Sequence, residues 1–175
     1  MLEETLCVMR HDLIYHGELD VFIIMIVLLM FAFPIASLFV ELFVFKTNTG
    51  FLFLMGKWFV FWGVGVRLFT AGLRQALQPQ FTAQDIFGIR DTKPLVIVRE
   101  LGFANCSIGL IGLCSVFNAT WILPSAIAGD LFYGLAVLQH LLKKDKNATE
   151  MTATISGLLM FIILSAYVVG VLWKS

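Results

Sequence analysis

Five long apolar runs, separated by short polar interruptions, make up most of this chain, and that pattern predicts its architecture. A helix rises about 1.5 Å per residue and a bilayer's hydrocarbon core is about 30 Å thick, so a crossing needs about 20 residues. Val21 to Val40 carries no charge and the run continues to Phe45, which predicts a first span over 21–45. Pro34 lies inside it, where a membrane helix tolerates a kink. Lys46 to Gly50 reads as a turn, and a second span over 51–77 carries Lys57, Arg67 and Arg74 among its aromatic residues. Beyond Gln78-Pro79-Gln80, the stretch Thr82 to Asp85 resembles a capping box and predicts a short helix near 82–88, lying at the interface. The uncharged stretch from Leu101 to Gly129 is too long for one span and too short for two. It divides at the turn-forming residues Asn118 to Thr120, and Pro124 suits a first helical turn. The third and fourth spans are therefore placed at about 94–117 and 121–142. Lys143 to Asn147 is a solvated loop, and an uncharged fifth span covers 151–173. The expected fold is all-α: an integral membrane helical bundle of five transmembrane helices plus the short interfacial helix. A polar N-terminal segment, 1–20, precedes one membrane domain, 21–175.

Composition agrees with this reading. Apolar residues make up 59% of the chain and charged residues 14%, a balance that would leave a soluble fold of this size short of polar cover. The N-terminal segment sets Glu3, Glu4, Asp12, Glu18 and Asp20 against Arg10. It has neither the basic start nor the apolar core of a secretory signal and is expected to be retained. Lys and Arg near the span ends fix orientation. One side has Arg10, Arg74, Arg90, Lys93, Lys143, Lys144 and Lys146, and the other has Lys46, Lys57 and Lys174. The excess places the N-terminus in the cytoplasm and the C-terminus outside. Net charge is zero with no basic block, which argues against nucleic acid as a partner. The bilayer is the expected partner, alongside another membrane protein or a second copy of the chain.

Charges inside a membrane are costly and turn toward partners, water or the bundle interior. When successive helices alternate in direction, the polar residues fall into three layers of equal depth. Arg67, Asn105 and Asp130 lie about 15–18 Å from the cytoplasmic ends, near the midplane. Arg74, Arg99, Glu100, Tyr133 and His140 form a layer nearer the cytoplasm, and Glu41 with Lys57 forms one near the outer face. Pairing is expected between Arg67 and Asp130 and between Glu41 and Lys57. Helical spacing puts Asp130, Tyr133, Val137 and His140 on one stripe of the fourth span, and Gly63, Arg67, Thr70 and Arg74 on one stripe of the second. Gly102, Asn105, Gly109 and Gly112 give the third span a small-residue face suited to close helix contact. These three helices are expected to enclose the polar residues.

Other chemistry leaves no trace in the sequence. Of the histidines, only His140 falls in a span, so a haem held by two His ligands is not expected; no metal-ligand motif, phosphate loop or nucleophile elbow occurs, and no cofactor is predicted. Cys7, Cys106 and Cys114 are odd in number and form no C-x-x-C pair, so they read as small apolar side chains. An enzyme is not the favoured class. The residue pattern leaves an accessory or structural membrane component held by intramembrane ion pairs, and a small transporter or channel for a proton, an anion or a small polar solute through Arg67, Asn105 and Asp130. A quinone-linked redox component is the weakest alternative.

Several stretches carry a family likeness: Gly56 to Trp62, Gly65 to Arg67, Ala71 to Gln75, Phe81 to Ala83 with Ile86 and Phe87, and Arg99 to Asn105. Gly109 with Gly112, Tyr133 to Ala136, Gln139 with His140, and Asn147 with Glu150 extend it. Through these the chain resembles an uncharacterised family of small bacterial multi-pass membrane proteins, with a fainter likeness to DoxX-like four-helix proteins, some linked to membrane redox chemistry. The resemblance implies a helical bundle in a bacterial inner membrane. It brings no activity with it, and it stresses Arg67, Arg74, Arg99, Glu100, Asn105 and His140.

Overall fold

The computed structural model describes residues 21, 23–86, 94–144 and 148–174, and among these every regular element is helical. Five helices are long and apolar enough to cross a membrane. They are α1 (Ile23–Val44), α2 (Phe51–Leu77), α3 (Leu95–Cys114), α4 (Ile122–Leu142) and α5 (Ala148–Leu172). The segment 1–20, residues 87–88 of the expected short helix, and Arg90, Lys93 and Lys146 of the charge count lie outside the described residues.

Local chemistry sets the boundaries. α3 stops at Cys114, before the expected 117, because Ser115 turns the chain: its N–H reaches the Ile111 carbonyl at 3.1 Å and its Oγ donates to the Gly112 carbonyl at 2.6 Å. Asn118 then caps the next turn, its Oδ1 accepting from the Thr120 N–H at 3.1 Å and from Thr120 Oγ1 at 2.8 Å. A single 3₁₀ turn, Ala119–Trp121, leads into α4. The short helix begins at Pro79, whose missing N–H suits a first position, and continues as the wide turn Thr82–Ile86. Pro79, Thr82 and Ala83 are buried against the bundle.

Three π-turns interrupt the long helices among the described residues. In α1 the π-turn Leu28–Ala32 directly precedes Pro34, and the Phe33 N–H reaches back five residues to the Leu28 carbonyl. That local widening absorbs the hydrogen bond that Pro34 cannot make. A second π-turn, Val40–Val44, ends α1 and carries Glu41. In α2 the π stretch Val60–Val66 includes Gly63 and Gly65 and ends directly before Arg67.

α2 is the hub of the bundle. Against α1 it sets Trp62, whose Nε1 donates to Ser37 Oγ at 3.0 Å and whose ring lies 4.8 Å from that of Phe33. Against α3 it sets a seam of glycines: an added Cβ on Gly65 would lie 2.8 Å from the Gly112 carbonyl carbon, and one on Gly72 2.6 Å from the Gly102 oxygen. The expected small-residue face of α3 is thus where two backbones meet. α4 and α5 form an antiparallel hairpin that closes on the first half of α2, with Met30, Val60, Val64, Met160 and Leu164 at the centre. Large apolar side chains such as Phe103, Leu110, Leu131 and Leu138 cover the outside, as lipid contact requires.

Candidate functional site

The glycine seam and the packed core fill one half of the bundle. In the other half, toward the ends of α2 and α4 and the starts of α1, α3 and α5, the helices enclose a cavity of about 440 Å³. This lies within the roughly 300–1,000 Å³ typical of small-molecule sites. α2 supplies one wall through Arg67, Thr70, Arg74 and Gln75, α3 adds Leu101 and Asn105, and α4 adds Phe132, Tyr133, Leu135, Ala136 and His140. α1 and α5 also contribute, through Met25, Ile26, Ala153 and Gly157, so the enclosure is wider than the three helices expected from the sequence.

Arg67 stands deepest on α2, ten residues before its last residue, Leu77, or about 15 Å from that end. The π stretch before it changes the phase at which its side chain leaves the helix. Its backbone N–H reaches the Trp62 carbonyl five residues back, and each such insertion turns the following side chains by about 100° relative to a regular helix. Thr70 bonds back to the Val66 carbonyl at 2.8 Å, so its hydroxyl serves the helix. Arg74, nearer the end, stacks on Phe81 with its guanidinium carbon 3.5 Å from the ring centroid. Asn105 is 2% exposed; its Nδ2 donates to Gln75 Oε1 at 2.7 Å, while its Oδ1 has no hydrogen-bond partner among the described residues. Tyr133 is buried and donates its hydroxyl to the Gly63 carbonyl inside the π stretch. His140 reaches Glu150 Oε1 through Nδ1 at 3.0 Å, and Lys143 donates to Glu150 Oε2 at 2.7 Å.

These positions sort the expected residues. Arg67, Asn105, Arg74, Tyr133 and His140 come together around one space. Asp130 does not join them, and the expected Arg67–Asp130 pair does not form. Asp130 lies three residues before Tyr133, about 60° around α4, where it faces α5 and accepts from Ser165 Oγ at 2.8 Å. Arg99 and Glu100 are also outside the cavity. Val98 holds the inward position on α3, so the next two residues point away by about 100° and 200°, and both are exposed. The outer pair forms as expected: Lys57 Nζ lies 2.9 Å from Glu41 Oε1, and Trp58 Nε1 donates to Oε2 at 2.6 Å. Glu150, 1% exposed, is the residue that sequence reasoning missed. A solitary acid in the first turn of an apolar span, across a short loop from His140, was the available signal.

The cavity wall therefore includes two arginines and a histidine, and no Asp or Glu among the described residues. A space at this depth that brings two arginines and several hydrogen-bonding groups among apolar side chains can hold an anion or the anionic part of a larger molecule. Fold and site together define the class: a multi-pass helical membrane bundle with a largely apolar cavity that enters from one end and holds a few charged and polar groups. No family model, curated protein or solved structure matches the chain.

Proposed function

We propose that this protein binds an anionic solute within the membrane, as a small binding or carrier protein, with Arg67 as the principal contact. One observation carries the reading: a cavity of about 440 Å³ reaches from one end of the bundle to an arginine near mid-depth. Asp130 lies outside the cavity, which favours an anion over a cation or a proton relayed between Arg67 and Asp130. The half of the bundle beyond Arg67 is filled by Val60, Val64, Met160 and Leu164, an arrangement that suits a one-sided binding site better than an open channel. The ion pairs at Glu41–Lys57 and at Glu150 hold helix ends together. They fit a structural role and leave the Arg67 cavity unexplained by it.

The family resemblance favours a bacterial inner membrane location, and the Lys and Arg excess on the cavity's side favours the N-terminus in the cytoplasm, the C-terminus outside and the cavity facing inward. The test is reconstitution into vesicles with labelled anions and cations of matched size. Anion binding or uptake lost in Arg67→Ala, and kept in Asp130→Asn, is the expected outcome. Cation selectivity, or anion binding indifferent to Arg67, would overturn it.

A further inference from the structure

The lining of the cavity is mixed and mostly apolar. Arg67 and Arg74 bring charge from α2, Asn105 and Gln139 bring polar groups from α3 and α4, and Leu101, Phe132, Leu135 and Ala136 supply apolar surface where α3 and α4 face each other. α3 packs chiefly on α2 and α4 chiefly on α5, and α3 and α4 touch each other sparsely. No hydrogen bond or ion pair joins α3 to α4 among the described residues. Leu135 lines the cavity and is at the same time 64% exposed on the lipid-facing surface of α4. The cavity therefore opens at the outer surface of α4 beside Leu135, with Gln139 one turn further on, also exposed, and Arg67 reaches the same cavity from α2.

A soluble anion gains nothing from the apolar surface of Leu101, Phe132 and Leu135, because it would have to shed its hydration to lie there. A molecule with a charged head and an alkyl tail matches both the arginines and that apolar surface. Resting on the binding reading above, we propose that the ligand is an amphiphile drawn from the bilayer, its anionic head against Arg67 and its alkyl tail lying between α3 and α4. A guanidinium donates N–H groups in a fixed fork that suits the oxygens of such a head. Asn105 Oδ1, buried and without a partner among the described residues, would take a donor from a hydroxyl on the head or from a bridging water, relieving the cost of an unmet buried acceptor. The tail replaces lipid along Leu101, Phe132 and Leu135 with no loss of apolar contact.

Three probes in neutral-detergent micelles separate the possibilities: dodecyl phosphate, dodecanol and inorganic phosphate, with bound probe counted by native mass spectrometry. Dodecyl phosphate should bind about tenfold or more tightly than either of the others, a difference of about 1.4 kcal/mol. Arg67→Gln should remove that advantage, and Leu135→Trp, which narrows the opening on a face already open to lipid, should weaken dodecyl phosphate binding at intact Arg67. Inorganic phosphate binding as tightly as dodecyl phosphate, and depending on Arg67, would overturn the amphiphile while leaving the binding site standing. Dodecanol binding as tightly as dodecyl phosphate would overturn the charged head. Binding of none of the probes in an Arg67-dependent way would overturn both the amphiphile and the anion site. Should Arg67→Gln fail to fold, the comparison of the three probes on the unaltered protein and the Leu135→Trp result still decide.

Discussion

Arg67 and Asp130 stand at similar depth on neighbouring helices, yet one opens into a cavity and the other meets Ser165 on α5. Glu41 and Lys57 stand at the opposite end, where the carboxylate takes both the ammonium and the Trp58 indole. Exchanging charges tells the two situations apart. Reversing Lys57 alone to Glu should destabilise by about 1–3 kcal/mol, between the values for exposed and buried pairs, and adding Glu41→Lys should restore most of it. Exchanging Arg67 and Asp130 should restore nothing over the single variants, because no shared contact exists to rebuild. Thermal unfolding of the four singles and two doubles measures this, and recovery in the Arg67/Asp130 double would contradict the placement of Asp130 against α5. Depth was legible from the sequence because residue count converts directly to distance along a helix. Angle was less so. Arg99, Glu100 and Asp130 each miss the cavity by a rotation of 60° or more: the sequence reading placed Arg99 and Glu100 by level alone, and its stripe on the fourth span was too broad to separate Asp130 from Tyr133.

Among the elements, α2 and α3 depend most on shape. Their backbones approach through Gly65 and Gly112, Gly72 and Gly102, and Gly109 against Phe69. Membrane helices have little hydrophobic drive toward one another, so such close packing supplies much of their association. A Cβ on Gly109 would stand 2.4 Å from the Phe69 backbone nitrogen, which cannot swing aside. Gly109→Ala should therefore cost about 1–3 kcal/mol, the usual range for overpacking. Gly157→Ala meets the Val137 Cγ2 at 3.1 Å, a side-chain atom that can adjust, and should stay within about 1 kcal/mol of the parent, helped by alanine's higher helix propensity. Denaturant titration of both variants checks the contrast, and equal effects would mean that the seam is looser than its geometry. The small-residue spacing on α3 was readable because it follows a plain helical period. The π stretch Val60–Val66 was not, since its two glycines and valines fit an ordinary helix equally well, and its widening is tied to a tertiary contact, Tyr133 on the Gly63 carbonyl.

At the scale of the whole molecule the bundle is asymmetric along its length, packed in one half and hollow in the other. The packed half carries the turn at Lys46 and the Glu41–Lys57 pair; the hollow half carries Arg74, Lys143 and the Glu150 cluster. Five spans were legible because apolar runs of about 20 residues have few alternative uses, whereas the cavity depends on how α3 and α4 diverge, which no residue pattern along a single helix encodes. Orientation decides which compartment meets the hollow end, and charge bias favours the cytoplasm. Cysteines placed at Asn48, in the turn between α1 and α2, and at Lys144, beyond α4, report on it. Both parent positions are exposed, and Cys7, Cys106 and Cys114 can first be replaced by serine or alanine to clear the background. A membrane-impermeant maleimide should label Asn48→Cys on intact cells and Lys144→Cys only after permeabilisation. The reverse pattern would turn the cavity outward, so that its anion would come from the far side of the membrane. Labelling of both positions on intact cells would mean that the hairpin of α2 and α3 does not hold the alternation on which the shared depth of Arg67, Asn105 and Tyr133 rests.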